Sequence, residues 1–140
     1  MRGRYFRLRY LVVVMAVIVV AGGVAGLWWA RSEPGPRDEI DLAARPAALS
    51  ARYEFAHTHA GLMKHLPCYC GCGATIGHQS LFDCFVNDRG GHAAHAADCQ
   101  VCRDEAEDAE LLLAAGESPQ AIRAFIDARY GELGSPTNTP

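Results

Sequence analysis

Pro67-Cys68-Tyr69-Cys70-Gly71-Cys72-Gly73 places three cysteines in alternation with Tyr69 and Gly71. A helix would scatter them, because positions two apart sit about 200° apart around a 3.6-residue turn. Pro67 and the two glycines also argue against a helix interior. A fully extended strand would align the thiols but would set Cys68 and Cys72 roughly 13 Å apart at about 3.3 Å per residue. Metal–sulfur bonds of about 2.3 Å do not span that gap at one ion. For all three to act together, the stretch must curl, which Gly71 and Gly73 permit. The other reading is that only two of the three thiols cooperate.

The segments around this stretch read as helices. Pro46 can start one through Ala47–Ala56, and Thr58 can cap a second, short one ending at Leu66. Tyr53, Phe55, Leu62, Met63 and Leu66 are core candidates, while His57 and His59 read as surface residues. After the cysteine loop, residues 79–86 (QSLFDCFV) form a compact apolar turn or helix carrying Cys84. Residues 87–91 (NDRGG) are a loop by composition. A long amphipathic segment begins at His92 or at Asp98 and ends at Ala115, with Gly116 closing it. Ser118-Pro119 is an N-cap followed by proline at the first helical position, opening a last helix to Tyr130. There Ile122, Phe125 and Ile126 are expected to be buried against Val101, Leu112 and Leu113.

The fold class is therefore all-α: a small helical bundle with an irregular Cys-rich loop, behind one N-terminal transmembrane helix. Residues 11–30 carry no charge and are long enough to cross a bilayer as a helix. Four arginines precede them and acids dominate after them, which sets the N-terminus in the cytoplasm and the rest outside. A cleaved signal peptide competes, with Val24 and Gly26 as small residues before a cut. The apolar run is long for an h-region, and its flanks make a poor A-x-A site, so a retained anchor is the expectation. The divisions are a basic cytoplasmic end at 1–10, an anchor at 11–30, a Pro/Gly tether at 31–45, a Cys-rich domain at 46–134 and a disordered tail at 135–140.

Charge divides along the same line. Residues 1–37 hold six arginines and one glutamate, a balance of +5, whereas residues 38–140 hold seven Lys/Arg and fifteen Asp/Glu, a balance of −8. Nucleic acid is a poor partner for so acidic a domain. The partner classes left are the membrane, through the N-terminal helix, and another extracytoplasmic or membrane protein. All six cysteines lie in the acidic part, where an oxidising space permits disulfides, metal thiolates and redox thiols alike.

His92, His95, Cys99 and Cys102 follow at spacings of three, four and three, which share one face if a helix begins at His92. Gly90-Gly91 and the alternative N-cap at Asp98 favour Cys99 and Cys102 over these two histidines. The acidic run after Cys102 reads as a solvated helix face. No P-loop, H-E-x-x-H or G-x-S-x-G competes with the cysteines.

These residues resemble the CYCXC family of (seleno)proteins, marked by a PCYCGC motif. The likeness runs over most of residues 51–131: Tyr53 and Phe55, PCYCGCG at 67–73, Gly77-His78, Ser80-Leu81, Asp83 to Val86, the C-x-x-C at 99–102 and GESPQAIRAFIDARYG at 116–131. The resemblance implies a membrane-anchored or lipoprotein-type bacterial extracytoplasmic protein and brings no settled activity. Members with selenocysteine at a motif position imply that a soft nucleophilic atom is wanted there. A weaker, local likeness links Cys99 onward to the thiol subunit of cytochrome c maturation. Asp98 stands where that family usually has arginine, so only the helical hairpin carries over.

Three readings follow. In the first, Cys68, Cys70, Cys72, Cys84, Cys99 and Cys102, with His78, hold a soft ion, copper(I) or zinc(II). In the second, Cys68, Cys70 and Cys72 are the catalytic thiols of a thiol–disulfide or peroxide oxidoreductase, with Cys70 the nucleophile. In the third, disulfides staple a small interaction domain. Closely spaced cysteines make relaxed pairing difficult, which weighs against it.

Overall fold

The computed structural model describes residues 38–140, together with 14, 15, 17–20 and 23. Most of the expected anchor, residues 11–30, lies outside the described residues, as does the basic end. Those of its residues that are described are helical. No helix of the described residues is long and apolar enough to cross a membrane.

Residues 36–140 form one unit built from helices. Among the described residues these are α1 (Ala47–Thr58), α2 (Ala60–Met63), α3 (Cys72–Ile76), α4 (Leu81–Phe85), α5 (His95–Asp98), α6 (Gln100–Ala114) and α7 (Pro119–Tyr130). Extended pairing among the described residues is limited to two isolated bridges, Glu39 with Ala93 and Val86 with His92. The all-α expectation holds for this unit.

Helix α6 is the mast. It packs against both α1 and α7. Its buried stripe is Cys102, Glu105, Ala106 and Ala109, a 3-4-7 spacing whose small side chains let the neighbours approach. Arg52 of α1 forms ion pairs with Glu107, at 3.0 Å, and with Glu110. Asp108 takes Arg129 at 3.0 Å and accepts the Tyr130 hydroxyl at 2.6 Å, both from α7. The turn between α6 and α7 follows the sequence closely. Gly116 is left-handed at φ 86°, Glu117 N–H reaches the Leu112 carbonyl, and Gly116 N–H reaches that of Leu113, a Schellman closure. Ser118 then caps α7 by accepting from Ala121 N–H at 3.2 Å.

Several expectations need correction. Thr58 does not cap a second helix. Its hydroxyl bonds back to the Glu54 carbonyl four residues earlier, inside the last turn of α1, and α2 starts after His59. The segment from His92 is not one helix either: Cys99, at φ −105° and ψ 107°, breaks the chain between α5 and α6. Phe125 is exposed and lies 5.8 Å from the Arg129 guanidinium, while Tyr130 takes the buried place on α7.

Ile40 is buried, its N–H bonds to the His92 carbonyl, and Asp38 accepts from Ala94 N–H. The segment read as a tail, residues 135–140, makes defined contacts. Thr137 is buried and holds Cys68 from both sides: Cys68 N–H donates to its Oγ1 at 2.9 Å, and Thr137 N–H donates to the Cys68 carbonyl at 3.1 Å. Arg123 anchors the end of the strap by donating to the Pro140 carbonyl.

Candidate metal centre

The motif curls at the glycine, as its spacing requires. Pro67 to Cys70 runs without regular structure, Gly71 turns left-handed at φ 83°, and α3 starts at Cys72. A side chain at 71 would meet no atom within 4 Å, so the constraint there is the backbone angle itself. Tyr69 points away from the thiols and donates its hydroxyl to Asp127 of α7 at 2.8 Å. Its backbone N–H donates to Glu105 Oε1 at 2.9 Å. With Thr137 on Cys68, this fixes the loop backbone on both sides of the first thiol.

The remaining donors come from the elements packed around the loop. Cys84 rides on α4, whose start is fixed by Asp83: its carboxylate accepts the N–H groups of Gln79 and Ser80 at 2.7 and 3.2 Å. Cys102 lies in the first turn of α6, Cys99 at the kink before it, and His95 at the start of α5. Tyr53 of α1, its hydroxyl 2.6 Å from the Ala93 carbonyl and its ring against Phe85, ties α4 to the segment entering α5.

The sulfurs converge. Cys68 Sγ lies 3.4 Å from Cys70 Sγ and 3.5 Å from Cys102 Sγ; Cys102 is 3.6 Å from Cys70, and Cys72 is 3.6 Å from Cys84. His95 Nε2 is 3.5 Å from Cys70 Sγ, and His78 Nδ1 is 3.4 Å from Cys84 Sγ. All six cysteines are free thiols, with these sulfurs far beyond the roughly 2.05 Å of a disulfide. Among the described residues, three sets of four have donor atoms all within 4.8 Å of one another: Cys68, Cys70, Cys72 and Cys84; Cys70, His95, Cys99 and Cys102; Cys72, His78, Cys84 and His95. Four thiolates at about 2.3 Å around a tetrahedral ion stand roughly 3.8 Å apart, so the donors fit such an ion with small adjustment.

Electrostatics separates the thiols. Cys70 is held well below the ordinary thiol range, by hydrogen bonding from Cys84 first and by His95, Cys72 and Cys68 after it, against the cost of its burial. Hydrogen bonding with Cys102 pushes Cys68 and Cys84 up, that with Cys68 pushes Cys72 up, and burial pushes Cys99 up. Thiols so close titrate together, and their proton losses belong to the group. Glu105, sealed beneath the loop, is pushed up to about 8, chiefly by desolvation. Its second oxygen has no hydrogen-bond partner among the described residues.

Every cysteine singled out from the sequence, and His78, therefore belongs to the cluster. His95 belongs to it as well, although Gly90-Gly91 argued for leaving it aside. Its companion His92 does not: its ring lies against Tyr53 and His57. Glu105 was read as part of a solvated face. The spacing Cys102, Glu105, Ala106, Ala109 was the available signal that it lies on the buried stripe.

Residues 40–140 match the family described as "Protein of unknown function with PCYCGC motif". The chain belongs to the PCYCGC-motif family. No curated protein and no solved structure matches it. The match spans every element from Ile40 through the Thr137 strap, so the family unit and the folded unit around the PCYCGC loop coincide.

Proposed function

We propose that this chain is a membrane-anchored, extracytoplasmic protein that binds a soft metal ion, copper(I) or zinc(II), through cysteine thiolates. One observation carries the reading: six free thiols and two imidazoles, spread from Cys68 to Cys102, meet as overlapping sets of four within 4.8 Å. Structural packing alone does not require sulfur at these positions, whereas thiolates are the donors that a soft ion selects. The anchor rests on the uncharged run at residues 11–30 and the charge reversal across it. The exposed, apolar side chains of the described helical residues there, such as Ile18 and Val19, agree with it.

A second reading has its own observation. Cys70 is half-buried, is held toward thiolate, and has Cys68 3.4 Å away, as a nucleophile with a resolving partner would. Counting bound metal and free thiols on one sample, purified without reductant or chelator, separates the two. Near-stoichiometric copper or zinc, with thiols released only when the metal is removed, supports the first and names the ion. Metal-free protein with one readily reduced disulfide refutes it in favour of the second.

A further inference from the structure

We propose that the PCYCGC centre holds two ions bridged by the Cys70 sulfur: a buried inner ion, and an outer ion that exchanges with solvent. The proposal rests on the metal-binding reading above and specifies how many ions that centre takes and how they differ.

The donor count points this way. A four-coordinate ion in the inner set, Cys68, Cys70, Cys72 and Cys84, leaves Cys99, Cys102 and His95 unused, although they converge with Cys70 in a second set of the same size. Cys70 is the single residue common to these two sets. Its sulfur lies 3.4 Å from Cys68, on the inner side, and 3.6 Å from Cys102, on the outer side. A thiolate has lone pairs enough to bind two ions at once, so the middle cysteine of the motif is the natural bridge.

Charge and exposure agree. One dication with four thiolates carries a net −2. A second dication brings in two more thiolates and a neutral imidazole, and the net stays at −2, so the added sulfurs enter the interior without added charge. Three of the four inner residues are buried, whereas three of the four outer ones are half-buried. His78 then need not bind: its Nδ1 lies against Cys84, and its ring packs edge-on against His95 at 5.1 Å, which orients the outer imidazole.

The test is cobalt(II) titration of the detergent-solubilised full chain, reduced and stripped of metal, without oxygen. Thiolate-to-cobalt absorption counts sulfur-bound ions alone and is expected to saturate at two equivalents. The high-spin cobalt EPR signal is expected to grow over the first equivalent and fall over the second, as a bridging sulfur couples the two spins. The double substitution His95→Ala with Cys99→Ser is expected to halve the cobalt bound and to abolish the fall.

Saturation of the unaltered protein at one equivalent overturns this proposal and leaves the one-ion reading standing. Two equivalents whose EPR signals simply add overturn the bridge. No thiolate-to-cobalt absorption at all overturns this proposal and the zinc form of the metal-binding reading with it.

Discussion

Glu105 shows how a single side chain ties the helices to the loop. Its carboxyl is fully buried, accepts the Tyr69 N–H between the first two motif cysteines, and is pushed up to about 8 by burial. Between its ordinary 4.5 and about 8 the folded chain keeps a proton that the unfolded chain releases. At this group the folded state binds more protons, so its contribution to stability falls as pH rises through that window. Glu105→Gln keeps the acceptor and removes the titration. Cys70, held toward thiolate, titrates with the opposite sign, so the readout is a difference: the urea midpoint of the metal-free, reduced parent relative to the variant should decline from pH 4.5 to 8, and parallel curves would contradict this account. At this scale the sequence was legible for sulfur and much less so for its neighbours. Six cysteines in a C-x-C-x-C and C-x-x-C pattern declare themselves by type. Glu105 sits in a run of acids whose others reach solvent or ion pairs, and only its register with Cys102, Ala106 and Ala109 marks it as internal.

Among the elements, the Thr137 strap is the part that composition concealed. A Ser, Thr, Asn and Pro tail reads as frayed, yet Thr137 closes both backbone groups of Cys68 and is buried. Thr137→Val keeps the shape and leaves the Cys68 N–H without its acceptor, a loss of about 1–3 kcal/mol for a buried donor. Chemical denaturation should show that loss, and a chelator should strip metal faster from the variant than from the parent. Unchanged stability together with unchanged release would mean that the strap is incidental. Capped elements were the legible ones, since Gly116 and Ser118-Pro119 fix their ends by local chemistry. The break at Cys99 was not, because His92, His95, Cys99 and Cys102 fit helical spacing equally well. Pairing of Val86 with His92, and of Ala93 N–H with the Phe85 carbonyl, pulls the chain out of helix until Ala94.

For the whole molecule, the folded unit is small, with α6 as its one long central helix and much of its interior given to sulfur. Small cores leave a thin stability margin, which a bound ion can widen. Free metal at a thousand times its dissociation constant adds about 4 kcal/mol, so chelation should lower the Tm sharply and restored metal should recover it. A Tm indifferent to metal would show that the fold does not depend on the site. The helical class and the cysteine set were legible from period, caps and residue type. The convergence of the donors was not, since it depends on how the PCYCGC loop, α3, α4, α5 and α6 meet. The most direct measurement is X-ray absorption at the metal edge of the purified, metal-loaded protein. The account predicts a shell dominated by sulfur at about 2.3 Å with a minor nitrogen contribution. A shell of oxygen and nitrogen at about 2.0–2.2 Å, without sulfur, would contradict it.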